Sequence, residues 1–279
     1  PMQAELMKEF TSSLPFKLTD SQKQCSYQIL KDLEKTSPMS RLLEGDVGSG
    51  KTVVAALAAL QAIKSGYQVA LMAPTEILAQ QHFSGITKFL DPYKITVAIL
   101  TSSAHKKTSQ KIKYSAFKIS KARVSKETLE GKIDIIIGTH ALIQKTVRFK
   151  NLGLIIIDEQ HRFGVAQRAA LCRGSVVNGQ LSVVQQVPHL LSMTATPIPR
   201  TLSLAVYGDL DLSLITQMPK GRKQIITKIV APAGRAQAYA FMRDQINKGR
   251  QAFVICPLID ESEKLEAKAA TKEYEKLQN

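Results

Sequence analysis

The sequence predicts an α/β fold, a parallel sheet flanked by helices, followed by the start of a second α/β unit. Two observations predict it. Short β-branched runs alternate with alanine-rich or amphipathic stretches along the 279 residues, the rhythm of strands joined by crossover helices. One of those runs, "LIIID" at 154–158, is apolar for four residues before its acid, as a strand buried on both faces must be.

Taken in order, the strand candidates are "RLLE" (41–44), "QVALMA" (68–73), "ITVAIL" (95–100), "IDIIIG" (133–138), "LIIID" (154–158) and "HLLSM" (189–193). Residues 53–64 and 76–90 carry the helical patterns between them. Ligands of such sheets bind at the carboxyl ends of the strands, where the neighbouring acids Asp158 and Glu159 fall. Two stretches break the rhythm. Residues 105–132 hold nine Lys/Arg against two acids, about half of the net charge, and are expected as an exposed helical insertion or a pair of short helices. That surface either faces DNA or is merely solvated; few aromatics favour the second reading. The other break is "TQMPKGRKQ" (216–224), a linker pattern. A strand "QIITKIV", a helix over 235–248 and a strand "QAFVICPL" follow.

The balance of 38 Lys+Arg against 23 Asp+Glu, a net charge of +15, suggests a polyanionic partner such as nucleic acid, or a surface kept dispersed by charge. Cys25, Cys172 and Cys256 lie far apart without a C-x-x-C pair, which reads as reduced thiols of a cytoplasmic protein. The longest apolar run, "VVAALAALQAI", is too short to cross a bilayer. No basic-then-apolar leader opens the chain, and both ends read as cut from something longer.

Burying Asp158 beside Glu159 calls for a cation, and the chain supplies one upstream. "GDVGSGKT" (45–52) matches G-x-x-x-x-G-K-S/T between a strand and a helix. Gly45, Asp46, Val47, Gly48, Ser49, Gly50, Lys51 and Thr52 therefore form a candidate nucleotide-binding loop. Its glycines let successive N–H groups turn toward phosphate oxygens, and the next helix presents its positive end. Lys51 is expected to reach the β and γ phosphates of ATP, and Thr52 to ligate Mg²⁺. Asp158 would hold the same metal through water, and Glu159 would activate the attacking water. The alternative reading of the two acids is a helix N-cap. His161 has no second histidine at catalytic-zinc spacing, so zinc is not expected.

Further stretches carry a resemblance. "RLLEGDVGSGKTVVA", "APTEILAQQH", "IIIGTHALIQ", "IIIDEQHRFGVAQR", "SMTATPIPRTL" and "YGDLDLSLI" resemble superfamily 2 helicases, and most closely the bacterial RecG family of branched-DNA helicases. The likeness covers most of residues 14–262. Related modules of the transcription–repair coupling translocase and the primosomal helicase PriA usually show "DEEH" where this chain has "DEQH". The resemblance implies a RecA-like P-loop NTPase domain over 16–219 that binds ATP and Mg²⁺, after a residual N-terminal linker or helix over 1–15. It also implies an incomplete second RecA-like domain over 220–279.

In "LPFKLTDSQ", similar to an adenine-recognition segment, Phe16 would stack on the base and Gln22 would hydrogen-bond its edge. Thr75, Thr139 and His140 would touch the DNA backbone, positioning without reading sequence. Thr194, Ala195 and Thr196, with Gln160 and His161, would couple the nucleotide site to DNA. The implied activity is ATP-driven remodelling of double-stranded and branched DNA in repair and recombination. A second reading is a nucleic-acid-binding module with little ATPase activity, and a third is the motor module of a transcription–repair coupling or primosomal translocase. The chain departs from the family pattern in "MTATPIPRT" and in the long basic insertion. The later motifs with their cleft-crossing arginines, the N-terminal wedge domain and the C-terminal translocation element are absent, so this piece is expected to hydrolyse ATP slowly and to unwind nothing by itself.

Overall fold

A computed structural model describes residues 4–108, 116–139, 142, 147–159, 187–196, 210–219, 225–256 and 270–278. The chain divides into two compact units, Pro1–Arg222 and Lys223–Asn279.

The described elements of the first unit run α1 (Ala4–Ser13), α2 (Asp20–Asp32), β1 (Ser40–Gly45), α3 (Lys51–Lys64), β2 (Gln68–Met72), α4 (Glu76–Leu90), β3 (Val97–Leu100), β4 (His105–Thr108), β5 (Ala116–Lys118), α5 (Lys121–Leu129), β6 (Ile135–Gly138), β7 (Leu152–Asp158), β8 (His189–Thr194) and β9 (Asp211–Ile215). They build one sheet in the order β5-β4-β3-β6-β2-β7-β8-β1-β9. From β3 to β9 every described pairing is parallel. All six strands expected from the aliphatic runs form, and the α/β class stands.

Strand alternation assigns side chains to the two faces. Val69 and Leu71, Ile135 and Ile137, Leu154 and Ile156 join one core. Ala70 and Met72, Ile136, Ile155 and Ile157 join the other. α3 lies within the first core, with every residue from Val53 to Ala62 buried. Its five alanines among these ten residues let neighbouring helices and the sheet approach on all sides, as an apolar helix enclosed all round requires. Three of the helices start where a short polar side chain caps them. Thr19 and Gln22 form a reciprocal capping box on α2, Thr75 caps α4, and Ser120 caps α5.

The basic stretch departs from expectation. Instead of one or two helices alone, 105–132 contains β4 and β5, paired antiparallel onto the β3 edge, before α5. The reason is local satisfaction of the backbone. β3 has an open side, and the Thr108 hydroxyl completes the junction by accepting from Val97 N at 2.9 Å. Glu127 of α5 then draws in Lys107 of β4 at 2.6 Å and Arg123 at 2.9 Å, so part of the positive charge is spent on fastening the insertion.

In the second unit the expected helix is present as α6 (Arg235–Asn247), and α7 (Ala270–Gln278) follows. The expected strands are not: 225–230 and 251–256 lie outside any strand. A β-strand needs a ladder partner for its backbone groups, and among the described residues of this unit no run pairs with these two. Ile226, Ile229, Phe253 and Ile255 are exposed there. Cys25 and Cys256 are free thiols, and Cys172 lies outside the described residues. No described helix is long and apolar enough to cross a membrane.

Candidate nucleotide site at the strand ends

The sheet order brings β7, β8 and β1 side by side. In register, Asp158 neighbours Met193 and Thr194 neighbours Glu44. The end of β1, the end of β7 and the end of β8 thus share one edge, although their residues lie far apart in the chain.

Gly48 (φ 77°) and Gly50 (φ 90°) take the left-handed conformation in the loop after β1, which only glycine adopts without a steric cost. Gly50 is also the N-cap of α3 and provides no side-chain acceptor to that helix's first amides. A positive helix end without a side-chain cap, directed at a glycine turn, suits an anion. Ser49 Oγ is buried without a hydrogen-bond partner. A buried hydroxyl left unsatisfied is costly, and a phosphate oxygen or metal-bound water would satisfy it.

Lys51 opens α3 and folds back, its Nζ donating to Gly45 O at 2.5 Å and Asp46 O at 3.2 Å. Burial pushes the Lys51 ammonium below its usual range, against the opposing charges of Asp158, Glu159 and Asp46. The Lys51 ammonium and the paired acids thus lie within electrostatic reach of one another. Thr52 follows in the first turn of α3, half-buried. Asp46 accepts from the amide of exposed Val47 at 2.7 Å, and Ser49 N donates to Asp46 O at 3.0 Å, which closes the loop on itself.

Gln22 is buried and engaged at both ends. Its Oε1 accepts from Thr19 N at 2.8 Å, and its Nε2 donates to Ser49 O at 2.7 Å. It clamps the loop, a role that sequence reading did not assign. Phe16 is exposed and meets Phe89 edge-on at 6.3 Å. It lines a cavity of about 760 Å³ with Met7, Lys8, Thr11 and Lys23.

Glu159, just past β7, sits at φ 52°, a conformation that costs a non-glycine residue about 1–2 kcal/mol. Asp158 is buried, and His82 of α4 donates from Nε2 to its Oδ2 at 2.7 Å. Sequence reading missed His82. The only available signal was a lone imidazole on the buried stripe Ala79, His82, Phe83, Ile86 and Leu90.

Of the remaining candidates, Thr75 caps α4 by accepting from Leu78 N at 3.3 Å. Thr139 follows β6 and is largely buried. Thr194 and Thr196 meet through their hydroxyls at 2.8 Å, flanking Ala195. His140, Gln160 and His161 lie outside the described residues. Among the described residues no cluster of three or more His, Cys, Asp or Glu could hold a metal alone. Mg²⁺ needs no such cage, because one or two carboxylates with phosphate and water complete its shell. Asp158 and the Thr52 hydroxyl fit that requirement.

Residues 19–204 match the DEAD/DEAH box helicase family. The chain is 49% identical over 273 residues to the ATP-dependent DNA helicase RecG of Aquifex aeolicus, covering 98% of this chain and 32% of that protein. It is 46% identical over 274 residues to RecG of Synechocystis, covering 98% and 30%. A solved structure of RecG bound to a three-way DNA junction superposes with a TM-score of 0.73 at 39% identity, covering all of this chain and 33% of that one. The chain thus spans about a third of the length of these relatives.

Proposed function

The chain belongs to the DEAD/DEAH box helicase family, and from that premise we propose that it is the ATP-binding motor segment of a branched-DNA helicase of RecG type. One observation carries the reading: the glycine turn, the Lys51 ammonium and the Asp158 carboxylate converge where three adjacent parallel strands end.

In this reading the first amides of α3 and the N–H groups of the turn grip the β and γ phosphates of ATP. Lys51 exchanges Gly45 O and Asp46 O for phosphate oxygens. Asp158 and Thr52 hold Mg²⁺, which when bound offsets negative charge on the phosphates. Glu159 orients the attacking water and accepts its proton. Phe16 stacks on the base. Gln22 keeps its loop bond and still has a second N–H and a second lone pair for the adenine edge.

Thr75, Thr139 and His140 contact the DNA backbone, while Gln160, His161, Thr194, Ala195 and Thr196 link that contact to hydrolysis. The motor domain spans 16–219 and a second one begins at 220. Remodelling of forks and junctions is proposed for the whole protein, supported by the RecG relatives.

The decisive variant is Lys51→Ala. It should weaken nucleotide binding by about 10- to 100-fold, the loss of one charge-assisted contact of roughly 1.5–3 kcal/mol, and abolish hydrolysis. DNA affinity should stay largely intact. Wild-type turnover in Lys51→Ala, measured as phosphate release, would overturn the assignment.

A further inference from the structure

We propose that His82 is a positioning residue that sets the orientation of the Asp158 carboxylate and ties it to helix α4. The inference rests on the assignment of Asp158 as the metal-holding acid. Both side chains are buried, and the Nε2–Oδ2 distance is 2.7 Å. His82 lies on the stripe by which α4 packs on the core, where an imidazole is costly without a partner. Asp158 ends β7, so the bond joins a helix to a strand 76 positions further along the chain.

Geometry gives the bond its consequence. A carboxylate attached to the last residue of a strand can rotate about its side-chain torsions. Holding Oδ2 from the α4 side leaves Oδ1 as the oxygen for a metal-bound water. Partners that hold a metal-site ligand in this way fix its direction and basicity.

His82 also lies seven residues from Thr75, the cap of α4, about two helical turns or 10 Å away. The same helix is held at its start by Glu76, which accepts from Ser103 N at 3.2 Å. A displacement of the Thr75 end is thereby transmitted along a rigid helix to the ring and to the carboxylate.

The test titrates Mg²⁺ against the chain in the presence of a fluorescent ADP analogue and reads nucleotide affinity rather than turnover. In His82→Leu the half-saturating Mg²⁺ concentration should rise about 10-fold or more, with metal-free nucleotide affinity unchanged. His82→Gln, whose amide N–H extends about as far as Nε2, should restore most of the response. His82→Asn, with a shorter reach, should not, and it keeps a polar group in the site should the leucine variant fold poorly.

If His82→Leu and His82→Asn titrate like the wild type, the proposal is overturned while the site assignment survives. If His82→Gln is as impaired as His82→Asn at equal melting temperature, the proposal also falls. A wild-type chain whose nucleotide affinity ignores Mg²⁺ removes the Asp158 assignment and this inference together.

Discussion

At the scale of single residues, the proposed chemistry depends on groups placed against their own local preference. Glu159 occupies a left-handed backbone position, and such strain persists at sites where function requires it. Glu159→Gly should relieve about 1 kcal/mol of backbone strain, leaving the melting temperature unchanged or slightly raised. It should also lower single-turnover ATP hydrolysis by about 100-fold, the lower end for a lost general base. Calorimetry and rapid-quench assays check the two halves; a variant that melts lower and turns over normally would contradict both. Lys51, the glycines and the paired acids were legible in the sequence because motif spacing and strand context agreed. His82 was not, because a contact across 76 positions leaves no local trace. Nor was the double engagement of Gln22, which depends on where the loop comes to rest.

At the scale of elements, the sheet is assembled by aliphatic alternation and fastened by a few buried polar side chains. Gln68, at the start of β2, shows how. Its Nε2 donates to Thr128 O at 2.8 Å and Ile133 O at 2.7 Å, and its Oε1 accepts from Lys150 N at 2.8 Å and Asn151 N at 3.0 Å. One amide thus satisfies main-chain groups at the end of α5, before β6 and before β7. Gln68→Leu should destabilise the chain by about 3 kcal/mol or more, since each buried group left unpaired costs about 1–3 kcal/mol. A denaturant midpoint within error of wild type would refute this. The six strands with aliphatic runs could be read because burial on both faces demands such runs. β4 and β5, "HKKT" and "AFK", carry no such signal. β5 is the edge strand and β4 the one next to it; lysines are tolerated at such a sheet margin and even protect it from wrong pairing, so the stretch reads in sequence like a solvated helix. In the second unit the error ran the other way: 225–230 and 251–256 look like strands, but pairing is a property of neighbours.

At the scale of the molecule, the sheet order decides when the site can exist. Lys51 and Asp158 are 107 positions apart, and the strands that carry them toward each other are separated by β8, which comes later still. Helices α2 to α5 can form from local signals, whereas parallel pairing across such distances pays its loop-closure entropy first and is slow. The proposed phosphate site is therefore a late product of assembly. After dilution from denaturant, ellipticity should recover ahead of fluorescent-nucleotide binding; simultaneous recovery in stopped flow would argue against it. The same arrangement makes any nucleotide that binds a brace for the entire sheet: on the proposed reading, a newly made chain acquires its fuel handle only once nearly all of the domain has been threaded into place.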